Sequence, residues 1–215
     1  MGRSGMERNL TDTIAQVKLV PVIKLTKAED SLPLVDALVA GGLPVAEITF
    51  RTSAAAKSIE TVRRQRPDVL VGAGTVLTVE QAQQAIDAGA SFVVAPGFNP
   101  TVVDFCIGKN MPVFPGVTSP TEVEMGLARG LKVLKFFPAE AAGGVAMLKA
   151  MGAVYDIRFM PTGGITEKNV LSYLGLKNVL ACGGSWMVKP ELVDAGKFDE
   201  IARITRQAVE LVKSL

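Results

Sequence analysis

Short β-branched runs alternate along this chain with longer stretches in which apolar residues recur every three or four positions. Eight such runs, at residues 18–23, 45–49, 69–73, 92–95, 112–115, 133–137, 158–161 and 179–182, follow one another at intervals of about 20 to 27 residues. Each predicts a buried strand. The intervening stretches, for example 31–40 and 54–65, carry the apolar stripe of an amphipathic helix. Start and stop signals agree with this division. Thr78 stands three residues before Gln81 in a capping-box spacing, and Pro100 and Pro120 fall where a first helical turn tolerates proline. Gly41-Gly42, Gly89 and Gly130 fall where left-handed C-caps end helices.

Strict strand-then-helix alternation requires parallel strands joined by right-handed crossovers, and eight units close into a (β/α)8 barrel of one domain, an α/β fold. Periodicity alone does not show closure, so an open doubly wound sheet stays the structural rival. The dinucleotide fingerprint does not favour it: Gly72-Ala73-Gly74-Thr75-Val76-Leu77 lacks the third glycine. A final helix over residues 198–215 closes the ring.

Composition narrows the chemistry. The net charge of +2 arises from interspersed acids and bases, so no basic stripe for nucleic acid stands out, and Arg63, Arg64 and Arg66 read as a solvated helix end. The two cysteines, Cys106 and Cys182, lack metal or redox spacing and read as reduced thiols of a cytoplasmic protein. Apolar runs are strand-sized, too short for a membrane span. Residues 1–10 read as a frayed or vector-derived terminus, because Met6 stands where a myristoylation signal needs Ser or Thr. The chain contains no histidine. That excludes a His-ligated metal site, a Ser-His-Asp triad and a histidine base, and leaves proton transfer to Glu, Asp, Lys, Tyr, Cys or water.

Barrel enzymes gather their reacting groups at the carboxyl ends of strands, and three places there stand out. Alternation in the second strand puts Glu47, Thr49 and Arg51 on one face, a costly choice in a strand buried on both sides, so they are expected at the site mouth. Lys135 lies in an apolar strand, Val133-Leu134-Lys135-Phe136-Phe137. Such a lysine is either a functional amine or half of a structural ion pair with Glu47, since burial disfavours an ammonium and a neutral amine attacks ketones. The turns Pro161-Thr162-Gly163-Gly164-Ile165 and Cys182-Gly183-Gly184-Ser185 follow the last two strands, where barrels often bind phosphate on backbone N–H groups.

These segments also resemble a known family. Val45-Ala46-Glu47-Ile48-Thr49-Phe50-Arg51-Thr52, Gly72-Ala73-Gly74-Thr75-Val76-Leu77, Lys135-Phe136-Phe137-Pro138-Ala139-Glu140, Pro161-Thr162-Gly163-Gly164-Ile165 and Gly183-Gly184-Ser185-Trp186 are similar to the 2-keto-3-deoxy-6-phosphogluconate (KDPG) and 4-hydroxy-2-oxoglutarate (KHG) aldolases. The resemblance implies a homotrimeric, metal-independent barrel enzyme with no cofactor, acting on a 2-oxo acid sugar phosphate and releasing pyruvate. It implies Lys135 as the Schiff-base lysine, Glu47 as acid and base, and Arg51 with Thr75 on the pyruvate-end carboxylate. Thr162 would touch the substrate, while Gly163, Gly164, Gly184 and Ser185 would form the phosphate pocket, walled elsewhere by Pro96 and Phe137. Lys24 keeps two readings, a phosphate contact or a strand-end lysine reaching solvent. The functional rivals are a phosphate-binding barrel lyase or isomerase without a Schiff base, and a non-catalytic oligomeric scaffold.

Overall fold

The computed structural model describes residues 3–213. An opening helix α1 (Arg3–Val17) precedes the barrel and sends Leu10 and Ile14 into the core. The sequence reading assigned no helix there. Met1 and Gly2 of the segment expected to be frayed lie outside the described residues, as do the last two residues of the expected closing helix.

The strands are β1 (Leu19–Ile23), β2 (Val45–Thr49), β3 (Leu70–Gly74), β4 (Val93–Val94), β5 (Val113–Phe114), β6 (Gly116–Val117), β7 (Val133–Phe136), β8 (Arg158–Pro161) and β9 (Cys182–Gly184). All pairings are parallel, and they run β5-β4-β3-β2-β1-β9 in one arc and β6-β7-β8 in another. Two joints close the ring. On one side β5 and β6 are halves of a single barrel strand bent at Pro115, whose carbonyl still accepts from Lys135 N–H at 2.9 Å. On the other, the parallel bridge Phe159↔Val179 ties β8 to the chain entering β9, and Thr162↔Gly183 ties the exit of β8 to β9 itself. The bend depends on Gly116: a Cβ there would run into the backbone carbonyl of Pro96, which has no rotamer to move aside.

Helices α2 (Ser31–Ala40), α3 (Ala55–Gln65), α4 (Val79–Asp87), α5 (Pro100–Gly108), α6 (Pro120–Ala128), α7 (Gly144–Gly152), α8 (Val170–Leu174), α9 (Pro190–Asp194) and α10 (Phe198–Lys213) wrap the outside. Strand residues are therefore buried on both faces, as an all-parallel sheet requires. The local signals work as polar chemistry dictates. Thr78 Oγ1 accepts from Gln81 N–H, and Ser119 with Glu122 forms a complete capping box. The outer ring closes where α10 packs on α2, and bare Gly41 lets Thr205 approach the backbone.

One strand was misplaced by the sequence reading. The last was expected at 179–182 with a Gly-Gly turn behind it, yet Gly183 and Gly184 belong to β9 and pair with Val20 and Pro21. Strand propensity favours Val179-Leu180, but the register is set by close approach. A Cβ on Gly183 would overlap the Thr162 hydroxyl, and one on Gly184 would overlap the Trp186 ring.

Candidate active site

Glu47 is the third residue of β2 and Lys135 the third of β7, strands that stand four places apart in the ring of eight, on opposite walls. Both side chains reach inward, at 2% and 4% exposure, and Lys135 Nζ lies 3.5 Å from Glu47 Oε1. A locked ammonium–carboxylate hydrogen bond closes to about 2.7–2.9 Å. The wider spacing is a loose contact, of the kind apo sites show before substrate draws catalytic groups together. Gly74 makes the arrangement possible, because any Cβ there would occupy the position of the Glu47 carboxylate. The Phe137 ring, 5.3 Å from Nζ, covers the amine from the strand's exit.

Thr49 and Arg51 depart from the expected arrangement of the second strand. β2 ends at Thr49, so alternation does not carry Arg51 onto the face of Glu47. The Thr49 hydroxyl donates to the Ile23 carbonyl at 2.7 Å and is consumed in holding β1 against β2. Arg51 sits in the turn beyond, exposed, beside a cavity of about 380 Å3 that it lines with Phe50, Thr52, Ser53, Gln81 and Gln84. No described residue forms an ion pair or hydrogen bond with its guanidinium, which is thus available to a carboxylate from outside. Thr75, at the exit of β3, holds φ +55, a left-handed conformation that a threonine adopts only when its neighbours impose it. Lys24, directly after β1, and Pro96, after β4, are both half-buried at strand exits.

Around β8 and β9 the site is built from backbone. Gly163 and Gly164 take φ +99 and +79, so this turn does require glycine. Thr162 is buried, with its hydroxyl over Gly183. The N–H groups of Gly163, Gly164 and Ser185 donate to no described residue. Three such donors in two adjacent exits suit an anion.

Two features went unread in the sequence. Glu140 lies in the Lys135-to-Glu140 motif but had no role, and Tyr173 on α8 gave no signal at all; the two are hydrogen-bonded. A groove of about 760 Å3 along α10 is lined by none of the expected site residues. Among the described residues no three His, Cys, Asp or Glu side chains come together as a metal-binding group.

Fold and site together define a class: parallel (β/α)8 enzymes that do amine and carboxylate chemistry inside the barrel. Within it, the chain belongs to the KDPG and KHG aldolase family, whose sequence model matches residues 10–204. The 2-dehydro-3-deoxy-phosphogluconate aldolase of Treponema pallidum is 49% identical over 202 residues, 94% of this chain and 96% of that protein. The crystal structure of the Legionella pneumophila KDPG aldolase, with pyruvate captured at low pH as a covalent carbinolamine intermediate, matches with a TM-score of 0.89. Identity is 41% over 92% of this chain and 96% of that one. The KDPG aldolase of Zymomonas mobilis, crystallised with 3-phosphoglycerate, matches at TM-score 0.86 and 37% identity over 93% and 94% of the two chains.

Proposed function

We propose that the protein is a Schiff-base aldolase that cleaves 2-dehydro-3-deoxy-6-phosphogluconate to pyruvate and D-glyceraldehyde 3-phosphate, and 4-hydroxy-2-oxoglutarate to pyruvate and glyoxylate. The observation that carries this reading is the buried amine of Lys135 facing the Glu47 carboxylate across the barrel at 3.5 Å. A lysine packed among apolar side chains with one loose partner is suited to nucleophilic attack; a structural pair would close further.

The steps follow from that geometry. The Lys135 amine adds to the C2 ketone, giving a carbinolamine, and loss of water, with Glu47 moving the protons, leaves an iminium. Removal of the C4 hydroxyl proton by Glu47 turns that oxygen into a carbonyl. The electrons of the C3–C4 bond flow into the iminium, the bond breaks, and the aldehyde departs. The enamine left on Lys135 takes a proton at C3, and water hydrolyses the resulting iminium to pyruvate and free lysine. The cation serves as electron sink, so the chemistry needs no metal Lewis acid. Arg51 and Thr75 hold the substrate carboxylate and thereby aim the ketone at Nζ, an orienting role whose benefit is entropic. Thr162 contacts the substrate, Phe137 and Pro96 wall the pocket, and Gly163, Gly164, Gly184 and Ser185 receive the phosphate, with Lys24 as a further contact. The carbinolamine of the Legionella relative and the phosphorylated ligand of the Zymomonas relative support the two ends of this assignment. We further infer a cytoplasmic homotrimer, which light scattering would report as three times the 22.7 kDa chain mass.

The test is pyruvate release, followed with lactate dehydrogenase, from the 6-phosphogluconate-derived substrate, its galactonate epimer and 4-hydroxy-2-oxoglutarate. Release is expected from the first and the third. Release from none of the three would overturn the reading.

A further inference from the structure

The two strand exits that carry the glycine donors and the reactive lysine are stitched together by backbone. Thr162 N–H donates to the Phe136 carbonyl at 2.9 Å, Ala139 N–H to the Thr162 carbonyl at 2.8 Å, and Glu140 N–H to the Gly163 carbonyl at 3.1 Å. Because a peptide unit is planar, the bonds at the Thr162 and Gly163 carbonyls also fix the direction of the Gly163 and Gly164 N–H groups, as long as Ala139 and Glu140 keep their own places.

Two side-chain contacts hold Glu140, and with it that backbone bond, in place. The methylene stem of Glu140 lies directly on Gly164, where a Cβ would come within 2.5 Å of its Cγ. Its carboxylate accepts a hydrogen bond from the Tyr173 hydroxyl. Tyr173 is fully buried on α8, with Gly144 closing over its hydroxyl, so it is a fixed post. Burial, and then the Glu140 carboxylate, hold that hydroxyl well above the ordinary phenol range, which keeps it a donor at any working pH. Asn169 Nδ2 grips the Gly164 carbonyl at 2.9 Å from the other side.

We propose that Tyr173 and Glu140 are positioning residues for the phosphate end of the substrate: Tyr173 fixes Glu140, and Glu140, bonded to the Gly163 carbonyl and pressed on Gly164, sets where the Gly164 N–H group points. Neither touches the reacting atoms. The proposal rests on the phosphate assignment of the preceding section, and the pair acts on the phosphorylated substrate alone.

The test compares Tyr173→Phe, Glu140→Ala and Glu140→Gln with the wild type on the phosphorylated substrate and on 4-hydroxy-2-oxoglutarate, with thermal unfolding recorded for each. Loss of one hydrogen bond to a charged acceptor corresponds to on the order of tenfold in an equilibrium constant. Tyr173→Phe and Glu140→Ala should raise KM for the phosphorylated substrate by that order, and weaken inhibition by inorganic phosphate in step. KM and kcat for 4-hydroxy-2-oxoglutarate should stay near wild type. Glu140→Gln keeps both the stem and an acceptor oxygen, so it should restore most of the affinity that Glu140→Ala loses. Equal losses on both substrates, or unchanged KM for the phosphorylated one, would overturn the positioning role. A wild-type enzyme that ignores inorganic phosphate and shows no preference for the phosphorylated substrate would instead overturn the phosphate site itself, and this proposal with it.

Discussion

The barrel mouth has two halves built on opposite principles. On the β2 and β7 walls the proposed working parts are side chains, Glu47 and Lys135, carried by regular strands whose ladder leaves their backbone no freedom. At the exits of β8 and β9 they are backbone N–H groups, and what matters is the absence of side chains at Gly163, Gly164 and Gly184. On the proposed reading the first half supplies a nucleophile and a proton carrier, which have to be specific atoms. The second would supply a field for an anion, which any donor can provide if the chain is bare enough to converge. Substitutions should therefore fail in different ways on the two sides.

The largest effect is expected from Lys135→Met, which keeps the length and apolar stem but removes the amine. Turnover should vanish while the variant still folds, as circular dichroism would report, because among the described residues Lys135 is the one amine within ion-pair distance of Glu47. Residual cleavage at a measurable fraction of wild type would transfer the chemistry to another group. Next comes Glu47→Gln, which preserves the shape over Gly74. It should lower kcat by about 10²- to 10⁴-fold, the usual contribution of a positioned acid–base group. Pyruvate affinity should change far less; an unaffected kcat would remove Glu47 from proton transfer.

On the glycine side a double-mutant cycle separates packing from backbone strain. Gly184→Ala collides with Trp186, so it is an overpacking defect of about 1–3 kcal/mol by urea unfolding, and pairing it with Trp186→Ala should recover most of the loss. Gly163→Ala meets nothing closer than 3.2 Å but holds φ +99, so its cost of about 1–2 kcal/mol is conformational and no partner substitution should relieve it. Rescue in both cases, or in neither, would erase the distinction.

The smallest effect concerns the thiols, since Cys182 lies within the glycine half. Burial pushes the Cys106 thiol from 9.0 up to about 11 and the Cys182 thiol further. A folded-state value above the unfolded one favours the native protein while both thiols are neutral. That contribution is present below about pH 9 and fades as pH climbs through the raised value. Ellman's reagent at pH 8 should find no fast thiol in the native protein and two after unfolding; fast modification of native Cys182 would mean an open glycine half.

How much of this the sequence revealed depends on what was doing the ordering. Strands β2 and β8 fall at their expected limits because β-branched and apolar runs there coincide with the ladder. Lys135 and Glu47 were legible since a charge inside an apolar strand is itself a signal. β9 slipped because its register is decided by Thr162 and Trp186 lying against bare backbone, a three-dimensional fact that glycine shares with ordinary turns. Arg51 could not be aimed from alternation once the strand ended two residues earlier. Tyr173 was invisible: a buried aromatic on a short helix reads as core, and only its hydrogen bond to Glu140, thirty-three positions away, gives it another meaning.

The central claim is that Lys135 bonds covalently to the substrate ketone, and trapping tests it most directly. Borohydride added with pyruvate should reduce the iminium and leave a stable adduct, found by peptide mass on the fragment containing Lys135, with activity lost in proportion. An adduct on any other lysine, or full activity with no adduct, would contradict the account.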